Sequence, residues 1–381
     1  MNNYKARIIA FYLPQFHPTP ENDLWWGKGF TEWTNVAKAK PAFRGHVQPK
    51  VPADLGFYDL RLPEARNAQA ELAREYGVEG FCYWHYWFGN GKRLLERPFT
   101  EVLQSGEPDF PFCLGWANHS WSNKTWQKNQ AFQNDTMFVE QTYGDIEDYT
   151  KHFYTVLEAF KDHRYITVDG KPLFFIFDPQ AIPDLKEFIC LWRKLAKENG
   201  LSGIHFVGKV ASVGKFDKGI THDYLSDTMD NYQNVLNKGV DAVNSVNLRR
   251  AEILAVGKYS KMLDRLINKF FSGGKVEKYD YKKIISNLFT KEDALENIYP
   301  TIIPRWDKTP RVGKRAYVYT GSTPELFEKS VKEAVEIVKD KQLEHRIIFL
   351  QAWNEWGEGN FMEPDLEFGR GYLEALRRAL Q

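Results

Sequence analysis

Eight short apolar runs, each followed by a segment with helical spacing, constrain the fold of this 381-residue chain more than any other feature. The runs are RIIAFYL (7–13), VEGFCYW (78–84), PFCLGWA (111–117), LFFIF (173–177), IHFVGKV (204–210), DAVNSV (241–246), PTIIPRW (300–306) and RIIFLQAW (346–353). They are continuous rather than alternating, as expected of parallel strands that are buried on both faces. Eight such strands alternating with helices predict an α/β fold, a (β/α)8 TIM barrel with elaborated βα loops.

The helical segments carry recognisable start and stop signals. The segment 62–77 opens with a proline and ends in a glycine, and the segment 323–343 opens with Thr323 as N-cap before Pro324. A last amphipathic helix is predicted over 371–381. A doubly wound sheet is the alternative fold, but no strand is followed by the G-x-G-x-x-G or P-loop pattern that such sheets often carry.

The chain is predicted to be one domain spanning residues 1–381, with two long loop insertions. The insertions cover about 14–62, after the first strand, and about 247–298, after the sixth. Within the second insertion, residues 259–283 hold seven basic and three acidic residues. This stretch is either a solvated helical hairpin or a docking face for an anionic partner.

Overall charge excludes some classes of protein. Lysine and arginine number 51 against 50 acidic residues, so the strong basic excess of a dedicated nucleic-acid binder is missing. No apolar run approaches the roughly 20 residues of a membrane span. The N-terminus lacks the pattern of a signal peptide, so a cytoplasmic location is expected. The three cysteines are widely spaced and indicate neither a disulfide framework nor a zinc site.

Polar and aromatic residues collect where the apolar runs end. In a TIM barrel these C-terminal strand ends carry the chemistry. Tryptophan is used less freely than phenylalanine in an apolar core, because its indole N–H requires a hydrogen-bond partner. The tryptophans among these residues therefore suggest surfaces that stack on a ligand such as a sugar ring. The predicted substrate-binding residues are Gln15, His17, Trp33, His85, Tyr86, Trp87, Trp116, Asn118, His119, Trp306, Asp307, Asn354 and Trp356.

The segment QAWNEWGEGN supplies two carboxylates, Glu355 and Glu358, as candidate catalytic residues. Residues i and i+3 of a strand point to opposite faces, so the two converge only if the chain leaves the strand between them. Gly357 and Gly359 allow such a turn. When two carboxylates converge, their pKa values move apart, so one can be protonated while the other is ionised. Enzymes that cleave glycosidic bonds use such a pair. The alternative is that one glutamate caps a helix or pairs with Arg370.

At this point the chain resembles the WbsX-like family, glycosyltransferases of bacterial surface-polysaccharide clusters, which is related to the endo-α-mannosidases of glycoside hydrolase family 99. The resemblance covers most of the chain. It rests on FYLPQFHPTPENDLWWGKGFTEWTNV, DLGFYDLR, GFCYWHYWF, FCLGWAN, PRWDKTPR and QAWNEWGEG. It implies a (β/α)8 barrel that acts on a glycan.

The resemblance also implies roles for the two glutamates. In the mannosidases the first glutamate of a Glu-Trp-x-Glu pair is a general base on the substrate 2-hydroxyl, and the second is the general acid. By resemblance these roles fall to Glu355 and Glu358. The sequence departs from its relatives at Gly357, where the mannosidases tend to have histidine. It departs again at His119, where WbsX-like proteins often have glutamate.

Several functions compete on this sequence. The first is a glycoside-active enzyme that hydrolyses or transfers with a glutamate pair, retains the anomeric configuration, and needs no metal or other cofactor. The second is a nucleotide-sugar glycosyltransferase of polysaccharide biosynthesis, which ranks lower because no Asp-x-Asp occurs. A non-catalytic glycan-binding barrel is third, and a metal hydrolase is disfavoured because the histidines lack ligand spacing. The expected ligand is an oligosaccharide or polysaccharide, neutral or weakly charged, with no nucleic acid bound.

Overall fold

A computed structural model describes residues 4–122, 137–214, 223–257 and 275–381 of the chain. Within these ranges eight parallel strands form the barrel wall: β1 Arg7–Tyr12, β2 Gly80–Trp87, β3 Phe112–Trp116, β4 Lys171–Ile176, β5 His205–Ala211, β6 Ala242–Val246, β7 Ile298–Ile302 and β8 Ile347–Leu350. Each strand pairs with its neighbour in sequence, and β1 pairs with both β2 and β8. The sheet therefore closes on itself, and the predicted (β/α)8 barrel is confirmed.

Helices lie between the strands. They are α1 Pro20–Trp26, α2 Glu32–Lys38, α3 Pro63–Glu75, α4 Arg97–Ser105, α5 Ile146–Lys161, α6 Leu185–Glu198, α7 Thr228–Leu236, α8 Leu248–Val256, α9 Tyr281–Ile285, α10 Thr309–Val312, α11 Pro324–Val338 and α12 Gly371–Leu380. The predicted N-cap of α11 is confirmed, because the Thr323 hydroxyl accepts a hydrogen bond from the backbone N–H of Leu326. Among the described residues, no helix is both long enough and apolar enough to cross a membrane.

Short strands and 3-10 turns lie between these elements in the described ranges. Two-to-four-residue strands lie at Arg93–Leu94, Trp121–Ser122, Met137–Val139, Thr167–Val168, Glu277–Asp280, Tyr317–Thr320, Asn354–Glu355 and Asn360–Phe361. Single 3-10 turns lie at Pro179–Ala181, Lys291–Ala294, Gly313–Arg315, Leu343–His345 and Trp356–Glu358.

The barrel interior is aromatic beneath its C-terminal opening. Phe11 of β1 stacks on Trp84 of β2, with ring centres 4.7 Å apart and planes 6° apart. The same phenylalanine contacts Phe175 of β4 at 4.8 Å and Phe349 of β8 at 5.2 Å. These rings fill the barrel and form the floor on which any ligand above them would rest.

The two predicted insertions carry structure of their own. Residues 14–62 contain α1 and α2, and the insertion after β6 contains α8, α9 and the strand Glu277–Asp280, which pairs with Tyr317–Thr320. Tyr279 and Tyr281 of that insertion belong to one apolar cluster with Trp306. Of the basic stretch 259–283, residues 259–274 lie outside the described ranges, so the docking-face hypothesis stays a prediction, as does the single-domain assignment.

Candidate active site

A cleft of about 710 Å³ opens at the C-terminal ends of the barrel strands. Its volume falls within the range of about 300–1,000 Å³ that is usual for ligand sites. Every strand contributes to its lining: Gln15 follows β1, Tyr86 lies on β2, His119 follows β3, Asp178 follows β4, Lys209 lies on β5, Val246 ends β6, Trp306 follows β7 and Glu355 follows β8. The cleft therefore occupies the position where this fold places its chemistry.

The two candidate catalytic glutamates both line this cleft. Glu355 ends the short strand Asn354–Glu355, and a single 3-10 turn follows, on which Glu358 lies. Gly359 closes the turn with a φ of 57°, in the left-handed region that favours glycine. The chain thus leaves the strand between the two glutamates, and this lets both carboxylates face the same space.

Both carboxylates contact one arginine. Nη2 of Arg311 donates to Oε1 of Glu355 at 2.7 Å, and Nη1 of Arg311 donates to Oε1 of Glu358 at 2.8 Å. Nζ of Lys308 lies 3.1 Å from the same oxygen of Glu358. The two terminal nitrogens of a guanidinium form a rigid fork. Glu355 and Glu358 are therefore held side by side, and Glu358 alone has a second cation.

A third carboxylate lies behind this pair. Glu32 of α2 is fully buried, and its Oε1 lies 3.1 Å from Nη2 of Arg311. The other oxygen of Glu32 packs against Gly357 so closely that a Cβ placed on the glycine would overlap it. The glycine at which this chain departs from the mannosidase pattern therefore provides the room that Glu32 occupies.

Gly357→Ala is expected to destabilise the protein by about 1–3 kcal/mol through overpacking against Glu32. It is also expected to lower turnover, because Glu32, Arg311 and the glutamate pair must shift together. The check is urea unfolding of Gly357→Ala, Glu32→Ala and the double variant as a double-mutant cycle. The alanine should cost clearly less once the Glu32 carboxylate is removed. An equal cost in both backgrounds would show that the close contact is not its cause.

Burial and local charge set the protonation of the three glutamates. Burial raises the pKa of Glu355 to about 8, against the opposing effect of Arg311 and with a further rise from Glu358 and Glu32. Burial would also raise the pKa of Glu358, but Lys308 and Arg311 outweigh it and hold that pKa below its ordinary value. Burial raises the pKa of Glu32. Of the pair, Glu355 therefore has the higher pKa and Glu358 the lower.

Four of the predicted substrate-binding residues line the cleft together with the pair. They are Gln15, Tyr86, His119 and Trp306. Burial lowers the pKa of His119 to about 4, so its imidazole is neutral at physiological pH. The ring of Trp306 packs against Tyr317, whose ring centre lies 5.6 Å away. Tyr317 also lines the cleft.

Three predicted residues point away from the cleft, into the layer between the barrel and its helices. Nε2 of His85 lies 2.8 Å from Nε2 of His152 on α5, and Trp87 stacks on the same histidine. The indole N–H of Trp116 donates to the carbonyl of Trp87, and its ring packs on Phe188 of α6. Side chains of a strand alternate between faces, so Tyr86 faces the cleft while its two neighbours face the helices.

Three further predicted residues lie on α2, on the turn after β8 and in the segment after β1. The indole N–H of Trp33 donates to the carbonyl of Tyr58, and its ring contacts Trp356 at 5.4 Å. Trp356 stacks on Phe361 at 3.6 Å. His17 is 2% exposed, and burial lowers its pKa to about 4. None of the three is part of the cleft lining.

The remaining three predicted residues fasten segments to one another. Asn354 exchanges hydrogen bonds with the backbone N–H and carbonyl of Leu13. Asn118 does the same with the backbone of Asp178. The Asp307 carboxylate accepts bonds from the side chains of Gln48 and Thr309 and contacts Nε2 of His46 at 2.6 Å. These polar residues hold the strand-end loops in place instead of facing the cleft.

Sequence reasoning did not single out the charged residues that surround the glutamate pair. Arg311 and Lys308 lie in PRWDKTPR, a segment noted only for Trp306 and Asp307. Glu32 lies in the quoted segment TEWTNV, and Lys209 lies inside an apolar run. The sequence did contain a signal for Lys209, namely a charged residue within an apolar run. Lysine is rarely buried in a strand unless it has a partner or a function there.

Among the described residues, no group of three or more histidine, cysteine, aspartate or glutamate side chains is placed to hold a metal ion.

Comparison with known protein families assigns the chain to one family. The model of the family described as glycosyltransferase WbsX matches residues 8–376. Two curated relatives, each named uncharacterized protein WxcX, come from Xanthomonas campestris pv. campestris strains B100 and ATCC 33913. Each is 34% identical over 378 residues, covering 98% of this chain and 50% of the relative. The chain thus spans about half the length of these relatives.

Solved structures support the same fold. A glycoside hydrolase-like protein aligns with a TM-score of 0.57 at 15% identity, covering 100% of this chain and 95% of that chain. The family 99 endo-α-mannosidase of Bacteroides thetaiotaomicron aligns with a TM-score of 0.54 at 15% identity, covering 98% of this chain and 96% of that one. Likeness at this identity concerns the barrel fold.

Proposed function

We propose that this chain, which belongs to the glycosyltransferase WbsX family, cleaves or transfers a glycosidic bond with Glu355 and Glu358 as its acid–base pair. Because this family is described as glycosyltransferases, its members, including this chain, are carbohydrate-active proteins. One observation carries the finer proposal: two carboxylates whose side chains are 16% and 14% exposed meet on the fork of Arg311 inside a cleft at the C-terminal face of the barrel. The proposed substrates are mannoside-like glycans or bacterial surface polysaccharides.

Acid–base cleavage of a glycosidic bond needs one carboxyl group with a proton and one without. The raised pKa of Glu355, about 8, and the lowered pKa of Glu358 supply this combination at neutral pH. We therefore assign Glu355 as the proton donor to the leaving oxygen and Glu358 as the base. The resemblance implies the reverse order, and the two orders make opposite predictions for pH and for the leaving group.

Glycan binding is proposed for the cleft residues that flank the pair. Tyr86 and Trp306 offer aromatic faces for the C–H groups of a sugar ring, and Gln15 and His119 offer hydrogen-bonding groups. Phe11 and Trp84 form the floor below them. A rigid aromatic floor with polar groups on the walls suits a ligand that is apolar on its ring faces and polar around its rim.

Retention at the anomeric carbon and independence of metal belong to the same proposal. Retention comes from the resemblance to the family 99 enzymes, in which the base takes the proton of the substrate 2-hydroxyl. That oxygen displaces the protonated leaving group, and water or an acceptor hydroxyl then opens the resulting anhydrosugar with a second inversion. Independence of metal follows from the chemistry of the pair, because one carboxyl donates a proton while the other accepts one. Product stereochemistry and activity in the presence of a chelator test these two parts separately.

A sugar-nucleotide-dependent transferase is the second candidate. The observation that favours it is the family's own description as a glycosyltransferase. In this alternative the cleft would bind the acceptor glycan, and turnover would require an activated sugar donor. The two candidates therefore differ in whether a glycan alone is consumed.

The pH dependence of turnover follows from the assigned protons. Glu355 must be protonated to act as the donor, so turnover should fall as the pH rises through about 8. Glu358 stays ionised to below its ordinary pKa, so turnover should persist into mildly acidic solution. Infrared spectra of the free protein should show a protonated carboxyl band that titrates near pH 8 and is missing from Glu355→Gln. Turnover that rises through pH 8 would instead make Glu355 the base.

A screen of purified protein tests the function itself. Mannosides and bacterial polysaccharide fragments are incubated with and without sugar nucleotides, beside a Glu355→Gln, Glu358→Gln double variant. The proposal expects some glycan to be cleaved or transferred without any sugar nucleotide, by the wild type alone. Turnover that occurs only with a sugar nucleotide would support the second candidate instead.

A further inference from the structure

Lys209 is a cation of the cleft that does not form an ion pair with Glu355 or Glu358. It lies near the end of β5, and its side chain is part of the cleft lining. Nζ of Lys209 lies 3.1 Å from the ring centre of Phe177, which lines the cleft beside it. The His119 ring lies 5.0 Å from the same phenylalanine ring. The ammonium thus rests on an aromatic face, an arrangement that stabilises a partly desolvated cation.

The other cations of the cleft have protein partners. Arg311 contacts three glutamates, Lys308 contacts Glu358, and Arg249 donates to the carbonyl of Gly214. For Lys209, by contrast, no carboxylate in the part of the chain that the structure describes lies within 4.0 Å of Nζ. Its position over Phe177 leaves the ammonium available to whatever enters the cleft.

This position is unfavourable for the charge of the free protein. Burial lowers the pKa of Lys209 to about 7, although Asp178 and Glu358 oppose that effect from a distance. A partly desolvated charge without a close counter-ion costs free energy, and a lysine in an apolar strand is uncommon for this reason. An anionic ligand group would supply the missing counter-ion and would restore the full charge of the lysine.

We propose that Lys209 binds a carboxylate on the glycan, so that the cleft selects acidic glycans of the uronic-acid class. The proposal names the substrate class of the cleft and rests on the proposed function. A single ammonium suits a singly charged group, whereas phosphate is commonly held by arginine forks or several N–H donors. The fork of Arg311 is already occupied by glutamates. Neutral His119 adds a hydrogen-bonding group beside Lys209 without a second charge.

The inference sharpens the expectation of a neutral or weakly charged ligand. The predicted substrate-binding residues, which carry that expectation, include no lysine or arginine. The structure places Lys209, Arg249, Lys308 and Arg311 in the cleft. Among the described residues, Lys308 and Arg311 each contact a carboxylate, whereas none lies within 4.0 Å of Lys209. One carboxylate per bound segment is the charge that this arrangement accommodates.

Matched glycans and matched variants test the inference. Polysaccharide fragments that contain uronic acid are compared with the same fragments after carboxyl reduction to neutral sugars. Binding to wild type, Lys209→Met and Lys209→Arg is measured by calorimetry, and KM is measured for every fragment that turns over. Sulfated and phosphorylated glycans form a separate arm. Thermal unfolding confirms that each variant is folded.

Lys209→Met is expected to weaken binding of the uronic-acid fragments at least about tenfold. It should leave the carboxyl-reduced fragments unchanged, and Lys209→Arg should recover part of the loss. Equal binding of acidic and reduced fragments by the wild type, an equal effect of Lys209→Met on both, or no binding of any uronic-acid fragment would overturn the inference. Preference for the sulfated or phosphorylated arm would overturn the choice of carboxylate. Selective binding without turnover would contradict the proposed function alone.

Discussion

Glu358→Gln and Glu355→Gln are each expected to lower turnover of an active glycan by about 10²–10⁴-fold. Glutamine keeps the size of the side chain but neither donates nor accepts the transferred proton. The measurement is kcat and KM for both variants, with Glu71→Gln on the exposed face of α3 as a matched control. The loss should fall on kcat, because the transferred proton matters only as the bond breaks. Near-normal turnover in both variants would reject the pair.

The leaving group separates the two roles. A glycoside with a good aryl leaving group needs little protonation, so the variant that lacks the acid should recover much of its rate on such a substrate. With the protons as assigned, Glu355→Gln should recover and Glu358→Gln should not. Recovery by Glu358→Gln alone would restore the order implied by the resemblance to the family 99 enzymes.

Arg311→Met should have the largest effect on stability. It leaves Glu32, Glu355 and Glu358 close together and without the cation that all three contact. Removing one partner of a buried ion pair typically costs about 3–5 kcal/mol. Turnover should fall as well, because the fork of Arg311 fixes the two carboxylates side by side.

The stability loss in Arg311→Met should depend on pH. Without the guanidinium the three carboxyl groups have raised pKa values in the folded protein. Their neutral forms are then favoured, so the penalty is largest at high pH and is relieved as the pH falls and they become protonated. Urea unfolding at pH 8 and pH 5 measures this, with Arg311→Lys as the charge-retaining control. A variant as stable as the wild type at pH 8 would contradict the described role of Arg311.

The barrel could be predicted because strands that are buried on both faces appear in the sequence as continuous apolar runs. All eight apolar runs coincide with barrel strands, including DAVNSV, where β6 lies. Boundaries were less accurate. The seventh apolar run begins at Pro300, whereas β7 begins at Ile298 and includes the proline. The second run ends at Trp84, whereas β2 continues to Trp87.

The candidate site was predicted only in part, because strand alternation does not reveal which face is inside when both faces are apolar. Tyr86 faces the cleft, while His85 and Trp87 on either side of it face α5. The cations were missed for another reason. Glu32 and Arg311 come from segments about 280 residues apart, and only the closed barrel brings them together.

Proton NMR of a glycan during turnover tests the central claim most directly. Wild-type protein is given an active fragment with chelator and without any sugar nucleotide, and the anomeric signals of the first product are followed. The proposed pair predicts a product that retains the anomeric configuration, formed at the same rate with chelator, and no product from the Glu355→Gln, Glu358→Gln double variant. An equal rate in the double variant, or an absolute need for a sugar nucleotide, would contradict the claim.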